Sequence, residues 1–243
     1  MSSTIIRDQQ VFAGAYDITG VLTSLSLGLS TEALENTPLG HNTRVRIPGI
    51  EDASFDYDGN WDAGTGLIDT TEYADVAAAV RAVSVCVQAG ADGEVAYAFQ
   101  SLKSGYELGG GVGEVLKFTS SGLAGGSRPI RGTILHPATA RTQTGNGTAR
   151  QVGAILAGQV GYAALHVTAV SGTSPTLAVI VQSDDAGAFG DPTSRITFTQ
   201  ATGITSEWKT VAGAVTDDYW RVNYTIGGTD TPTFTFVVVF GIR

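Results

Sequence analysis

The stretch Ser54-Phe55-Asp56-Tyr57-Asp58-Gly59-Asn60-Trp61-Asp62 alternates without a break. Successive side chains of an extended chain point to opposite sides, so Phe55, Tyr57, Gly59 and Trp61 share one face. Ser54, Asp56, Asp58, Asn60 and Asp62 share the other. One face is a packing surface, and the other is a row of carboxylates. The spacing Asp56-x-Asp58-Gly59-x-x-Asp62 has a calcium-loop look, but an EF-hand needs a Glu at its twelfth position. Counting from Asp56, that position is Leu67. The alternation predicts a strand in a half-buried sheet.

Working outward, residues 18–30 interleave Ile18, Val21, Leu22, Leu25, Leu27 and Leu29 with Ser and Thr, which predicts a second strand. Between the two strands lies a polar loop, 30–48, turning at Pro38-Leu39-Gly40 and carrying Arg44 and Arg46 near its end. Downstream, Asp69 and Glu72 are spaced as a variant capping box. Tyr73, Val76, Ala77 and Val80 make an i, i+3, i+4, i+7 stripe, so a helix is predicted over 69–82. Further strands are predicted at 82–88, 94–103 and 115–122, with Gly109-Gly110-Gly111-Val112-Gly113 as a hairpin tip. That tip lacks the Lys and the Ser or Thr of a phosphate-binding loop.

Residues 124–129 read as a linker, and the composition then turns Thr-rich. Strands are predicted at 131–136, 149–155, 162–171, 176–183, 193–199, 206–211, 219–225 and 233–242, a spacing that suggests a sandwich or jelly roll. The expected fold is mainly β: an N-terminal β domain, 1–129, with one α-helix, and a C-terminal β-sandwich, 130–243.

Charge divides along the same line. The 243 residues hold 14 Lys and Arg against 23 Asp and Glu, a net charge of −9. Residues 1–129 carry 16 acids and 7 bases, and residues 130–243 carry 7 of each. An acidic balance argues against a protein that grips nucleic-acid phosphates, which needs a basic stripe. A single cysteine, Cys86, excludes an intrachain disulfide and any multi-Cys metal site; within Val83, Val85 and Val87 it reads as a buried apolar residue. The first eight residues lack a basic segment followed by an apolar run, so no signal peptide and no membrane insertion are expected.

Catalytic chemistry finds few candidates. His41, His136 and His166 are the three histidines, and no zinc-hydrolase spacing or nucleophile elbow is present. His166, in Leu165-His166-Val167, reads as a core or sheet-face residue. No enzyme, catalytic residue, metal or cofactor is expected. In the second half, Trp208 and Trp220 are the candidates for a glycan contact, since indole faces stack on sugar rings. The alternative is a packed row, because Trp220, Val222 and Tyr224 share one face of one strand.

A resemblance enters at residues 15–62. Ala15-Tyr16-Asp17-Ile18-Thr19-Gly20 is followed by Ser24-Leu25-Ser26-Leu27. Then come Thr37-Pro38-Leu39-Gly40-His41-Asn42-Thr43-Arg44-Val45-Arg46-Ile47-Pro48-Gly49-Ile50 and Ala53-Ser54-Phe55. This order resembles the N-terminal region of major tail tube proteins of long-tailed, siphophage-type bacteriophages. Gly113-Glu114-Val115-Leu116-Lys117-Phe118-Thr119 resembles a late strand of the same fold, and the likeness spans roughly residues 8–125. Glu51 stands where a Lys is often seen, so no contact of that Lys is carried over. The second half resembles, more loosely, accessory β-sandwich domains of virion proteins.

The resemblance implies a tail-tube-type β-barrel or sandwich with its helix outside. It also implies homohexameric rings stacked into a tube through which double-stranded DNA passes without specific binding. Tape measure, tail terminator and baseplate proteins are the further partners, and the virion tail is the location after synthesis in the host cytoplasm. On this reading Asp56, Asp58 and Asp62 are expected at the lumen, where carboxylates repel phosphates. Pro38, Arg44 and Arg46 are expected at inter-subunit or inter-ring contacts. A carbohydrate- or receptor-binding module and a capsid decoration protein are the alternatives.

Overall fold

The computed structural model describes residues 8–64, 68–76, 78 and 80–243. Along the chain run β1 (Gln10–Ala13), β2 (Tyr16–Asp17), β3 (Leu22–Glu35), β4 (Arg46–Asn60), α1 (Ile68–Asp75), β5 (Arg81–Cys86), β6 (Val95–Gly109) and β7 (Lys117–Ala124). They are followed by β8 (Ile130–Arg141), β9 (Gly145–Asn146), β10 (Arg150–Gln151), β11 (Val160–Asp184), β12 (Thr193–Thr197), β13 (Thr205–Ala212) and β14 (Tyr219–Ile242). The protein is mainly β, with one α-helix among the described residues.

Two compact units alternate along this chain. The larger contains Met1–Gly20, Arg81–Gln100 and Ile130–Arg243, and the smaller contains Val21–Val80 and Ser101–Pro129. A single division at 129/130 is therefore only one of four crossings. Hydrogen bonding explains the others: β1 pairs with β5 (Gln10↔Cys86 to Ala13↔Val83), and the start of β6 pairs with the start of β8 (Val95↔Thr133 to Ala98↔Ile130). These segments of the first half thus complete the sheet of the larger unit.

In the smaller unit the strand order is β3-β4-β7-β6, all antiparallel. The alternation of 54–62 holds: Phe55, Tyr57 and Gly59 are buried, while Asp56 and Asp58 face outward and are partly exposed. Gly59 is required there, because a Cβ would lie 2.4 Å from the Val21 carbonyl oxygen and 2.6 Å from Cε1 of Phe118.

Two expectations are corrected in this unit. The polar loop 30–48 is strand at both ends: β3 runs to Glu35 and β4 starts at Arg46, with Glu35↔Arg46 and Thr31↔Glu51 in register. Because β7 pairs only with Ser54–Asn60, the outer part of β3–β4 is a two-stranded arm with a tip of residues 36–45. The helix ends at Asp75 rather than at 82, and its packed residues are Ile68, Thr71 and Glu72. Tyr73, Val76 and Val80 are exposed, and Ala77 lies outside the described residues. The capping pair, not the apolar stripe, faces the sheet.

In the larger unit β11 and β14 pair from Gly161↔Ile242 to Asp184↔Tyr219. The breaks between the predicted strands 162–171 and 176–183, and between 219–225 and 233–242, are instead corners within β11 and β14. They lie opposite one another (Thr173↔Thr229), the register shifts there, and Gly172 and Gly228 have φ of +105° and +124°. A Cβ on Gly228 would come within 2.9 Å of the Ser174 carbonyl oxygen. Each corner turns the strand pair without reversing the chain, so inward residues of both halves meet in one core. That core holds Leu165, Val167, Leu177, Val179, Val181, Trp220, Val222, Phe234, Phe236, Val238 and Phe240. The alternate residues Ala164, Val237 and Val239 pack into a second cluster with Phe12, Cys86, Ala96, Ala98 and Ile134. Both faces of β14 are covered there, which accounts for its unbroken apolar run.

Candidate functional site

The outward face of the smaller unit's sheet is built from small and acidic side chains. The registers Ser26↔Asp56↔Ser121↔Gly105 and Ser24↔Asp58↔Thr119↔Glu107 set them in rows across four strands. The Ser24 hydroxyl donates to the Asp58 carboxylate at 2.6 Å. Hydrogen bonds from Ser24 and Thr119 hold that carboxyl below its ordinary range, so it stays charged at neutral pH. Asp56 and Asp58 are thus brought together on one pleated surface. Asp62 is not part of it: it is exposed beyond the end of β4. Lys117, opposite Asn60, lies at the lower end of the same sheet.

Behind this face, α1 is fastened by its own carboxylates. Oε2 of buried Glu72 accepts from the Tyr57 hydroxyl at 2.6 Å, from the Ser120 hydroxyl at 2.5 Å and from the Lys103 ammonium. Lys103 also donates to Ser120 at 2.6 Å, and its charge sits 4.4 Å from the Tyr57 ring centroid. Burial lowers the Lys103 pKa, against the pull of Glu72, and burial together with Glu72 raises the Tyr57 hydroxyl well above its ordinary value. Asp69, one turn earlier, accepts from Trp61 Nε1 at 3.1 Å and from the Tyr106 hydroxyl at 2.9 Å. Sequence reasoning missed this cluster. Its one signal is Lys103 at an inward position of a strand otherwise carrying Ala, Phe and Ser.

The smaller unit also carries the exposed apolar surface. Of the seventeen large hydrophobic residues that are exposed among the described residues, fifteen belong to it. Leu29, Leu34, Leu39, Val45, Ile47 and Ile50 lie on the arm, and Leu108, Val112, Val115 and Leu116 surround the turn between β6 and β7. Scattered exposed residues are ordinary, but concentration on one unit marks a surface made to be covered. Arg44 and Arg46 are exposed at the arm's tip, with Arg44 Nε 3.9 Å from Glu35, and Pro38 is exposed beside them. Glu51 pairs with Arg128 at 2.7 Å.

The other sequence candidates lie inside the larger unit. Trp220 is fully buried against Phe240, with Nε1 donating to the Gly153 carbonyl at 2.8 Å, so its ring offers no face to a sugar. The packed-row alternative describes it. Trp208 is half-buried against Tyr162 and the second core cluster. His166 is sealed: its Nδ1 donates to the Gly14 carbonyl at 2.7 Å and its Nε2 accepts from the Ser84 hydroxyl at 2.8 Å. This Ser–His pair is fully buried, and burial lowers the His166 pKa to about 4. His136 is buried within β8, stacked on Phe236, and burial with the adjacent Arg141 lowers it to about 4 as well. Burial pushes the Cys86 thiol up to about 12, as expected of an apolar filler.

No protein-family model and no curated protein matches the chain. Similar folds occur among solved structures of tail-like particles. The virion of a native gene transfer agent particle contains a chain 14% identical with a TM-score of 0.40, over 51% of this chain and 96% of that one. A chain of the SPP1 tail tube is 12% identical with a TM-score of 0.42, over 52% and 78%. The SPP1 Dit protein, a hub of the adsorption apparatus of phages infecting Gram-positive hosts, is 10% identical with a TM-score of 0.39, over 97% and 99%.

Proposed function

We propose that the chain is a non-enzymatic tail protein of a long-tailed bacteriophage whose smaller unit closes into hexameric rings that stack as a conduit for DNA. The observation that carries this reading is the concentration of exposed apolar residues, fifteen of the seventeen large ones among the described residues, on one unit that also presents an acidic, hydroxyl-lined sheet. Its strand β3 pairs along one edge only, with β4, and β6 is the other end strand of the unit's four-strand order. A long open edge invites pairing with another chain, and a closed ring satisfies every edge at once.

Six such four-stranded sheets joined edge to edge at about 4.8 Å per strand enclose a barrel about 37 Å across between backbones. Side chains from both walls still leave room for a duplex. The Ser, Thr, Asp and Glu rows then line the lumen, where fixed negative charge keeps phosphates from sticking. The arm with Pro38, Arg44 and Arg46 reaches a neighbouring subunit or ring, and the larger unit serves as an accessory sandwich. Tape measure, terminator and baseplate proteins complete the tail.

Negative-stain microscopy of the purified chain tests the reading. Tubes with a central channel are expected, and removal of residues 36–45 is expected to leave folded, unpolymerised protein. Monodisperse monomers or trimers at every concentration would sink the proposal, and rings that never stack would make the chain a single-ring hub instead.

A further inference from the structure

We infer that the turn between β6 and β7 is the seat for the arm tip of a second copy, so that each ring receives the next one head to tail. This deepens the ring-forming reading and rests on it. The placement follows from register. β4 leaves the arm tip at Arg46 and ends at Asn60, which is opposite Lys117, and Lys117 is opposite Gly109. The turn 110–116 therefore leaves the sheet at the end opposite the arm tip. Fourteen steps of strand separate the two, about 46 Å before any tilt.

The two ends match in chemistry. The arm tip offers Leu39 (104% exposed) and Val45 beside Arg44, Arg46 and Glu35, a surplus of one positive charge, whereas the turn offers Val112 (110% exposed), Val115 and Leu116 beside Glu107, Glu114 and Lys117, a surplus of one negative charge. Glu114 also shapes the turn by accepting from the Gly111 amide at 3.1 Å. A basic apolar tip at one end and an acidic apolar tip at the other favour unlike ends over like ends. Contacts between unlike surfaces do not close on themselves, so they propagate along an axis. Tip-to-tip contact of like ends would stop at two rings. Each contact is small, but a ring makes all of its contacts together, which multiplies a weak interaction.

The full-length chain with Leu39→Cys and Val112→Cys tests this by oxidative crosslinking in assembled tubes. The native Cys86 is fully buried and stays silent. A ladder of covalent multimers is expected, since each subunit bonds one copy above and one below, and each single variant is expected to stay monomeric on denaturing gels. Tubes that form without crosslinking overturn the seat while leaving ring formation intact. Covalent dimers of Leu39→Cys alone overturn the head-to-tail order. Absence of rings from the unaltered chain overturns the underlying reading itself. A charge exchange gives a second measurement if the cysteine pair prevents folding. Arg44→Glu is expected to raise the concentration needed for tubes at least tenfold, with recovery in Arg44→Glu/Glu114→Arg. Loss without recovery would overturn the pairing.

Discussion

Trp220 and Tyr73 are both large aromatic residues, yet Trp220 is fully buried in the larger unit while Tyr73 is 74% exposed on the helix of the smaller one. The same contrast runs through both units. In the larger, β14 is covered on both faces by apolar clusters, and the buried His136 and His166 are neutral with satisfied partners. Its buried Asp184 carboxylate accepts from the Ala186 and Asp191 amides and has no ion-pair partner among the described residues. In the smaller, the inward face is aromatic but its helix is held by buried charge, and most of its large aliphatic residues are outside. Formal charge follows: eleven acids and nine bases in the larger unit give −2, and twelve acids and five bases in the smaller give −7. A unit that hides its apolar surface within itself is finished as a monomer. On the proposed reading, one that leaves it outside is finished by assembly.

The sharpest test of this contrast is the clamp on α1, where the largest effect is expected. Glu72→Ala leaves the Lys103 ammonium buried with no counter-charge, and breaking one side of a buried pair costs about 3–5 kcal/mol. Replacing both partners, as Glu72→Leu with Lys103→Met, is expected to return most of that loss, since an apolar pair of similar volume removes the stranded charge. Urea unfolding of Glu72→Leu, Lys103→Met and the double closes the cycle. A single variant costing under about 1 kcal/mol would mean that the clamp does not hold the helix, and that the smaller unit's interior is apolar in the same sense as the larger unit's.

How much of this was legible in the sequence depended on whether the signal was local. The strand 54–62 was legible because a period of two over nine residues needs no partner to be read. The row Trp220, Val222, Tyr224 was legible as a packed face for the same reason. The helix's packed face is not legible locally, because Tyr73, Val76, Ala77 and Val80 have helical spacing while the docking of Asp69 and Glu72 depends on Tyr57, Lys103, Tyr106 and Ser120, all distant in sequence. The strand breaks predicted around Gly172 and Gly227-Gly228 misplace the strand ends, because glycine permits a positive φ whether the chain reverses or merely bends. Only the pairing of Thr173 with Thr229 distinguishes the two. On the candidate surface, Asp56 and Asp58 were placed together by parity, but Asp62 lies past the strand's last paired residue, where parity no longer defines a face.

An intermediate effect is expected from pH, and it falls on the larger unit. Burial lowers His166 to about 4 in the folded chain, against an ordinary value of about 6.5. Between those values the unfolded chain binds a proton that the folded chain refuses. The stability His166 provides is therefore complete above about pH 6.5 and is lost as pH falls toward 4, by roughly 3 kcal/mol at most. His136 adds a loss of the same sign over the same window. Urea midpoints of the wild type are expected to fall steeply between pH 6.5 and 4.5, and less steeply in His166→Gln. An unchanged slope in that variant would show that His166 titrates normally and that the larger unit's interior is wetter than its packing implies.

The smallest effect on folding is expected where the contrast predicts the largest effect on assembly. Ile50 is 79% exposed on β4, so Ile50→Ser removes little that the isolated subunit buries. Its unfolding free energy is expected to stay within about 0.5 kcal/mol of wild type. If a neighbouring copy covers Ile50, the same substitution forfeits about 2 kcal/mol of burial per contact, which raises the concentration needed for tubes roughly thirtyfold. Urea unfolding and sedimentation of assembled material read the two quantities separately. Val238→Ala, in the larger unit's core, should show the reverse pattern, with a clear loss of folding stability and little change in assembly. If Ile50→Ser instead unfolds the subunit and spares the tubes, its side chain serves the fold, and the exposed aliphatic residues of the arm are no evidence for a partner.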